Sequence, residues 1–444
     1  MDQGALFERE SRKEANPTEA LPPRIGPKRL RHAVRNQIEF QQCSLDELLP
    51  EDHEAYVCGL ELSELRARIQ SVEGGPGQAP ADPRILLALW LYATLRGVGS
   101  ARELNRLCRY HAAYRWICGG VSMNYHTLSD FRTRHVELLD RLLSESVASL
   151  LAEGLVTLDR VAQDGMRVRA SAGAASFRRQ PTLEEALAEA EEQVVQLRQE
   201  LEANPAAHKT RQQAARKRAA EERTERICAA LEQLPKIAES KKAKDRPKAR
   251  ASTTDADARV MKMGDGGFRP AFNVQLATAT DSQVITGVDV TNSGGDQGQM
   301  APMVEQHAER YEEKPKEMLV DGGFVKKADI DQVSPPQGGT TVYAPVMESK
   351  DPNRDPHTPR DDDSPAVAEW RQRMGTPEAK AIYRERAATA ECVNALARNR
   401  GLQRFLVRGL RKVKAIALWY ALAHNLMRTV ALRAAAAQAG LYGS

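Results

Sequence analysis

The chain has 444 residues, with 64 Lys and Arg against 60 Asp and Glu, a formal net charge of +4. That length suits about three domains of ordinary size with a sizeable core. Its six cysteines form no CxxC pair, which argues against a zinc site or a disulfide framework and for a reducing cytoplasm. No run of about 18 apolar residues is unbroken, so no membrane span is expected, and the polar segment Met1–Pro17 does not read as a signal peptide.

Residues 1–35 read as a flexible basic arm. Residues 36–150 read as helices, beginning with Leu45–Leu49 and Glu61–Ile69. Asp82 and Pro83 stand at N-cap and N1 positions before Ile85–Leu95, which Gly97 and Gly99 end. Short helices follow over Ser100–Cys108 and Ala112–Ile117, and His126–Arg132 leads into Val136–Leu151. Successive short helices with a Gly-containing turn suit a helix-turn-helix DNA binder, and equally an ordinary helical domain. Arg96, Arg102, Arg106, Arg109, Arg115, Arg132 and Arg134 weigh toward DNA.

From residue 151 to 430 the pattern turns to α/β. Residues 155–170 read as a strand, a turn and a second short strand. Pro181–Leu234 carries apolar residues at helical spacing (Leu183, Leu187, Val194, Leu197), broken at Asn204-Pro205. This predicts a helical hairpin or short coiled coil inserted over residues 181–250. Lys236–Arg250 returns as a basic segment. Strands are expected at Phe268–Ala279 and Gln283–Val290 around a Thr280–Ser282 turn. A helix over Gln299–Arg310, a strand over Lys316–Val320, a strand over Thr340–Val346, a charged loop and further helices to Gln438 complete the order. Residues 431–444 read as a tail. The order fits an RNase H-like mixed five-stranded sheet with flanking helices, after an all-α N-terminal domain. Basic blocks at Arg24–Arg35, Lys236–Arg250 and Arg404–Lys414 on a near-neutral chain point to a polyanionic partner.

Three acidic residues are candidates for the chemistry. Asp164 sits in Gln163-Asp164-Gly165 after an apolar run, Asp321 closes Glu317–Asp321 before Gly322-Gly323, and Glu391 lies in a helical stretch. Two strand-end aspartates and one helical glutamate would hold a pair of Mg²⁺ ions, with Mn²⁺ as a substitute, because hard cations take oxygen ligands. Each residue alone reads as well as a turn aspartate or a solvated helix glutamate. Asp255, Asp257 and Asp265 read as loop and cap residues, Asp289 as solvent-facing, Asp296 as an N-cap, and Asp361–Asp363 as a solvated loop. Glu391 and Arg398 are seven apart and share a helix face, which suits Arg398 to a phosphate neighbouring the metal.

The segments QDGMRVRASAG, LVDGGF and Tyr383-x-x-Arg386-x-x-x-x-Glu391, the last followed by Arg408-Gly409-Leu410 and His424-Asn425-Leu426, resemble those of DDE transposases of bacterial insertion sequences. The resemblance falls in the IS4/IS5-like group, most nearly the IS1182 family, and spans roughly residues 35–430. It implies Asp164, Asp321 and Glu391 as catalytic metal ligands, and Tyr383 and Arg386 as contacts to DNA near the transposon end. It also implies double-stranded DNA as partner and a homodimer on that DNA. Departures are Arg398 where lysine is usual, Phe324 where tyrosine is commoner, and Glu391–Leu396 in place of a Glu-Pro-Val-Phe-like stretch. The reaction implied is endonuclease hydrolysis at the element ends followed by 3′-hydroxyl strand transfer. An RNase H-like nuclease and an inactive DNA-binding relic are the alternatives.

Overall fold

Strand β5, Phe268–Ala279, organises the architecture: twelve residues with almost no exposed side chain after the first two. Such a near-continuous buried strand must be covered on both faces. The computed structural model describes residues 81–203, 211–335, 338–348 and 353–439, all within the unit Leu45–Ser444. The expected helices Leu45–Leu49 and Glu61–Ile69 and the basic arm lie outside the described residues.

On one side β5 pairs antiparallel with β1 (Arg160–Arg169). On the other it pairs with both β4 (Arg259–Lys262) and β6 (Ile285–Thr291), end to end. Beyond β1, strands β7 (Glu317–Leu319) and β8 (Thr341–Tyr343) run parallel. Six strands therefore fill five lateral positions of one mixed sheet, and β2 (Phe177–Arg178) and β3 (Ala251–Ser252) form a separate antiparallel pair. The expectation of a turn within residues 155–170 is corrected. β1 runs unbroken through Gln163-Asp164-Gly165, in continuous register from Val161↔Ala279 to Arg169↔Ala271.

The N-terminal helices are α1 (Pro83–Leu95), α2 (Ala101–Tyr110), α3 (Ala112–Cys118), α4 (Tyr125–Arg134) and α5 (Val136–Ala152). Asp82 caps α1 by accepting from Arg84 N–H at 2.9 Å, and Ser100 caps α2. Their apolar faces join one core with a long C-terminal helix, Leu410–Gln438, and with Met166, Val168, Phe272 and Val274 of the sheet. That helix is apolar nearly all round over Val413–Ala423, as expected of a buried helix. Asn425 bonds both Ile285 N–H and Ile285 C=O at 2.8 Å, standing in for a strand partner along β6. Its N-terminus is capped by Asp255 and Asp257, which accept from Gly409 and Leu410 N–H groups, as a cap role for that pair anticipated. No helix among the described residues is long and apolar enough to cross a membrane.

The opposite end of the sheet is covered by Met300–Tyr311, Lys327–Val333, Pro365–Gly375 and Pro377–Arg386 around a second core that includes Val161, Met318 and Trp370. The insertion forms two helices, α6 (Gln180–Ala203) and α7 (Arg211–Glu239), that pack on each other. They have their own small core of Leu183, Ala190, Ile227, Ala230 and Leu234. α7 continues through Pro235 for five residues beyond the expected end at Leu234. The remaining helices, in chain order, are α8 (Met300–Tyr311), α9 (Lys327–Val333), α10 (Pro365–Gly375), α11 (Pro377–Arg386), α12 (Cys392–Asn399) and α13 (Leu410–Gln438).

Two further expectations are corrected. Asp363 is not solvated: its side chain is fully buried and pairs with Lys327 at 2.9 Å and Arg371 at 2.6 Å. Arg132 does not present a charge to DNA. It is buried, lies 4.5 Å over the Trp90 ring and donates to the Gly99 carbonyl.

Candidate active site

The parallel pairing of β1 and β7 sets the site. Val161 faces Met318 and Ala162 faces Leu319, so the same register carried two residues further brings Asp164 level with Asp321. Alternation along β1 turns Asp164 toward the face of Met166 and Val168, and Gly165 toward the other. Asp321 follows the end of β7 and accepts from Gly323 N–H at 2.7 Å, which fixes its carboxylate in a tight turn.

Glu391 arrives from the helical side through a π-helical turn, Ala387–Glu391, between α11 and α12. In an α-helix residues five apart diverge. The extra residue in this turn returns Glu391 to the side of Arg386, and Arg386 Nη1 lies 3.1 Å from Glu391 Oε1. A π turn also frees backbone groups. Gln283, with a left-handed φ of 58° in the β5–β6 turn, donates to the Ala388 carbonyl at 3.2 Å. Arg160 of β1 pairs with Glu317 of β7 and Glu385 of α11, tying this helix to the two strands that carry the aspartates.

The three carboxylates meet on one guanidinium. Arg386 Nη2 stands 3.1 Å from Asp164 Oδ1 and 3.9 Å from Asp321 Oδ2, while Nη1 binds Glu391. Asn394, one turn beyond Glu391, donates to Asp164 Oδ2 at 2.9 Å, and Gly165 N–H donates to Asp164 Oδ1 at 2.9 Å. Burial pushes the Asp164 carboxyl above its ordinary value. Arg386 works against this, and Asp321 adds to it. Arg386 is desolvated too, yet Asp164 and its other anionic neighbours hold its pKa above the ordinary value. Tyr383, half-buried one turn before Arg386, is pushed up by burial, against Arg386 and with the three carboxylates.

The donor set fits a hard cation: three carboxylates surround a single positive group, and the buried Asn394 Oδ1 has no partner. Among the described residues, however, no group of three or more acidic, His or Cys side chains is arranged to hold a metal as it stands. The physical reason is Arg386, whose guanidinium lies between the carboxylates and carries the charge that a cation would bring.

The other sequence candidates are spread out. Arg398 is exposed on α12 with no ion pair among the described residues, and its carbonyl accepts from Gln403. Arg102, Arg106 and Arg109 share the exposed face of α2. Arg102 lies 5.4 Å from the Tyr125 ring centre, and Arg106 pairs with Glu103 at 2.7 Å.

Asp296 is a further residue the sequence reading misassigned. It does not cap α8, whose N-cap is Gln299. It is buried on the Gly165 face of β1 and accepts from Asn273 at 2.7 Å and Gln275 at 2.8 Å, with Arg167 at 3.4 Å. A Cβ at residue 165 would stand 2.1 Å from its Oδ1, so only glycine fits there. The signal was available in the polar residues at alternate positions of β5, Asn273 and Gln275, which need a buried partner.

Two family models match the chain. Residues 43–134 match one described as a transposase domain (DUF772), and residues 349–430 match one described as a transposase DDE domain. The first spans Arg102, Arg106 and Arg109. The second spans Tyr383, Arg386, Glu391 and Arg398, while Asp164 and Asp321 lie between the matched segments. Among curated proteins and solved structures nothing matches. The two matches support a DDE transposase, a class of enzyme that acts on DNA.

Proposed function

We propose that this chain is an insertion-sequence transposase of the IS4/IS5-like group, near the IS1182 family. In this reading it cleaves DNA at the element's ends and joins the freed 3′-hydroxyl to target DNA. The observation that carries the reading is the meeting of Asp164, Asp321 and Glu391 on Arg386. The mixed sheet, antiparallel on one side of β1 and parallel on the other, supports an RNase H-like catalytic domain.

Asp164, Asp321 and Glu391 would hold two divalent cations, Mg²⁺ or Mn²⁺. When bound, these supply the Lewis acidity that phosphodiester hydrolysis and transesterification require. The chain's own residues do the rest. Gly165 N–H and Asn394 orient Asp164, and Gly323 N–H orients Asp321. Arg386 offsets part of the carboxylates' charge in the free protein and, released from them, is a bidentate donor for the phosphate beside the reacting one. Tyr383 packs beside Arg386 and would face the same stretch of DNA. Arg398, exposed on the helix of Glu391, is suited to a flanking phosphate. Arg102, Arg106 and Arg109 present a cationic face of α2 for the element end. Binding as a homodimer would bring two ends together.

The test is a nicking and joining assay on duplexes carrying the element's terminal sequence, with Mg²⁺ present and absent. Cleavage should require the cation and yield joined products. Asp321→Asn should lose cleavage by at least about 10³-fold while still shifting the same DNA in a gel. Cleavage without joining would favour a nuclease, and cleavage by Asp321→Asn would refute the assignment.

A further inference from the structure

A second concave surface, a cleft of about 840 Å³, lies at the base of the α6–α7 hairpin. Segments far apart in sequence wall it. The end of α7 and the residues after it bring Lys236 and Lys241, the return segment brings Lys248 and Arg250, and β4 brings Arg259. The loop after β6, Asn292–Gly294, forms the remaining side. Asp257 is the one carboxylate in the lining, and its Oδ2 accepts from Leu410 N–H at 2.9 Å.

The five cations are not equivalent. Arg259 is a brace: it donates to the Ala256 carbonyl at 2.7 Å and to Gln233 at 2.8 Å, fastening α7 to β4. Lys248 pairs with Asp245 at 3.0 Å. Lys236, Lys241 and Arg250 are exposed and make no ion pair among the described residues. Three unneutralised cations around one concavity repel each other, and a polyanion relieves that repulsion.

The cleft borders the Gly165 face of β1, the face opposite Asp164. The carbonyl of Gly294, in its wall, accepts from Arg167 Nε at 3.2 Å and Nη2 at 3.0 Å. Arg167 stands three residues after Asp164 on β1.

We propose that this cleft is a phosphate-backbone site for duplex DNA, holding it without reading sequence. Lysine ammonium groups act as point charges toward phosphate rather than as planar readers of base edges, which fits a positioning role. The inference rests on the DNA reading of the carboxylate site and assigns a role to the helical insertion.

The experiment is a fluorescence-anisotropy titration of the full-length chain with a duplex of arbitrary sequence over a series of salt concentrations. The parent is compared with the triple variant Lys236→Gln/Lys241→Gln/Arg250→Gln and with Lys236→Arg/Lys241→Arg. Each lost phosphate contact should lower the slope of log K against log salt by about 0.9, so the triple variant should lose about 2–3 in slope. Its affinity at low salt should fall by about 10²-fold, while the Lys→Arg variant keeps the parental slope. Should the triple variant unfold by circular dichroism, each single Gln variant carries the same test at about 0.9 in slope. An unchanged slope in a folded variant would overturn the cleft assignment alone. A parent that binds no duplex at any salt would overturn the DNA reading and the cleft with it.

Discussion

The two faces of β1 handle carboxylates in opposite ways. On one face Asp164 lies with Asp321 and Glu391 around a single guanidinium, so negative charge exceeds positive. On the other face Asp296 is met by the amides of Asn273 and Gln275 and by Arg167, so both of its oxygens are occupied. Asp164 and Asp296 are both largely shielded, Asp321 and Glu391 are more exposed, and the charge balance of the two sides differs. Asp296 is satisfied by the fold itself. The Asp164 face retains an excess of negative charge that a divalent cation would complete, and this surplus, rather than burial, marks the site.

Removing the one positive group from the first face should have the largest effect on stability. Arg386→Met leaves partly buried carboxylates facing each other, which should cost about 3 kcal/mol without divalent cations. Mg²⁺ should restore a large part of that loss in urea unfolding, because it supplies the missing charge. A variant as stable as the parent in chelator would break the comparison.

Gly165→Ala strikes the other face. Its new Cβ would lie 2.1 Å from Asp296 Oδ1 and 2.6 Å from Gln275 Nε2. Overpacking against a buried polar cluster should cost about 2 kcal/mol. Here Mg²⁺ should give no rescue beyond its effect on the parent. Equal rescue of the two variants in the same unfolding series would mean that the faces are not separate.

Much of this arrangement was legible in the sequence, and the misses have physical causes. β5 was readable to the residue from its strand-forming residues and the turn at Thr280–Ser282, and the α13 segment was readable because its apolar run is long. Asp164 was placed at a strand end because Asp-Gly is ordinary turn chemistry. In the fold the glycine serves instead to admit Asp296, a partner 131 positions away that no local pattern displays. Asp363 read as solvent-facing because Asp361–Asp363 looks like a charged loop, yet Lys327 and Arg371 draw it inside. The face shared by Arg386 and Glu391 was hidden by their spacing, which only the π turn brings into register. Arg132 illustrates the converse: an arginine counted toward DNA is spent on Trp90.

The central claim is that Asp164, Asp321 and Glu391 form one cation-holding unit. Calorimetric titration of the full-length protein with Mn²⁺ tests it directly, using Asp164→Asn, Asp321→Asn, Glu391→Gln and, for contrast, Asp296→Asn. The account predicts that each of the first three weakens Mn²⁺ binding by at least about tenfold, near 1.4 kcal/mol, while folded Asp296→Asn binds as the parent does. Parental Mn²⁺ affinity in Asp164→Asn, or a loss confined to Asp296→Asn, would contradict it.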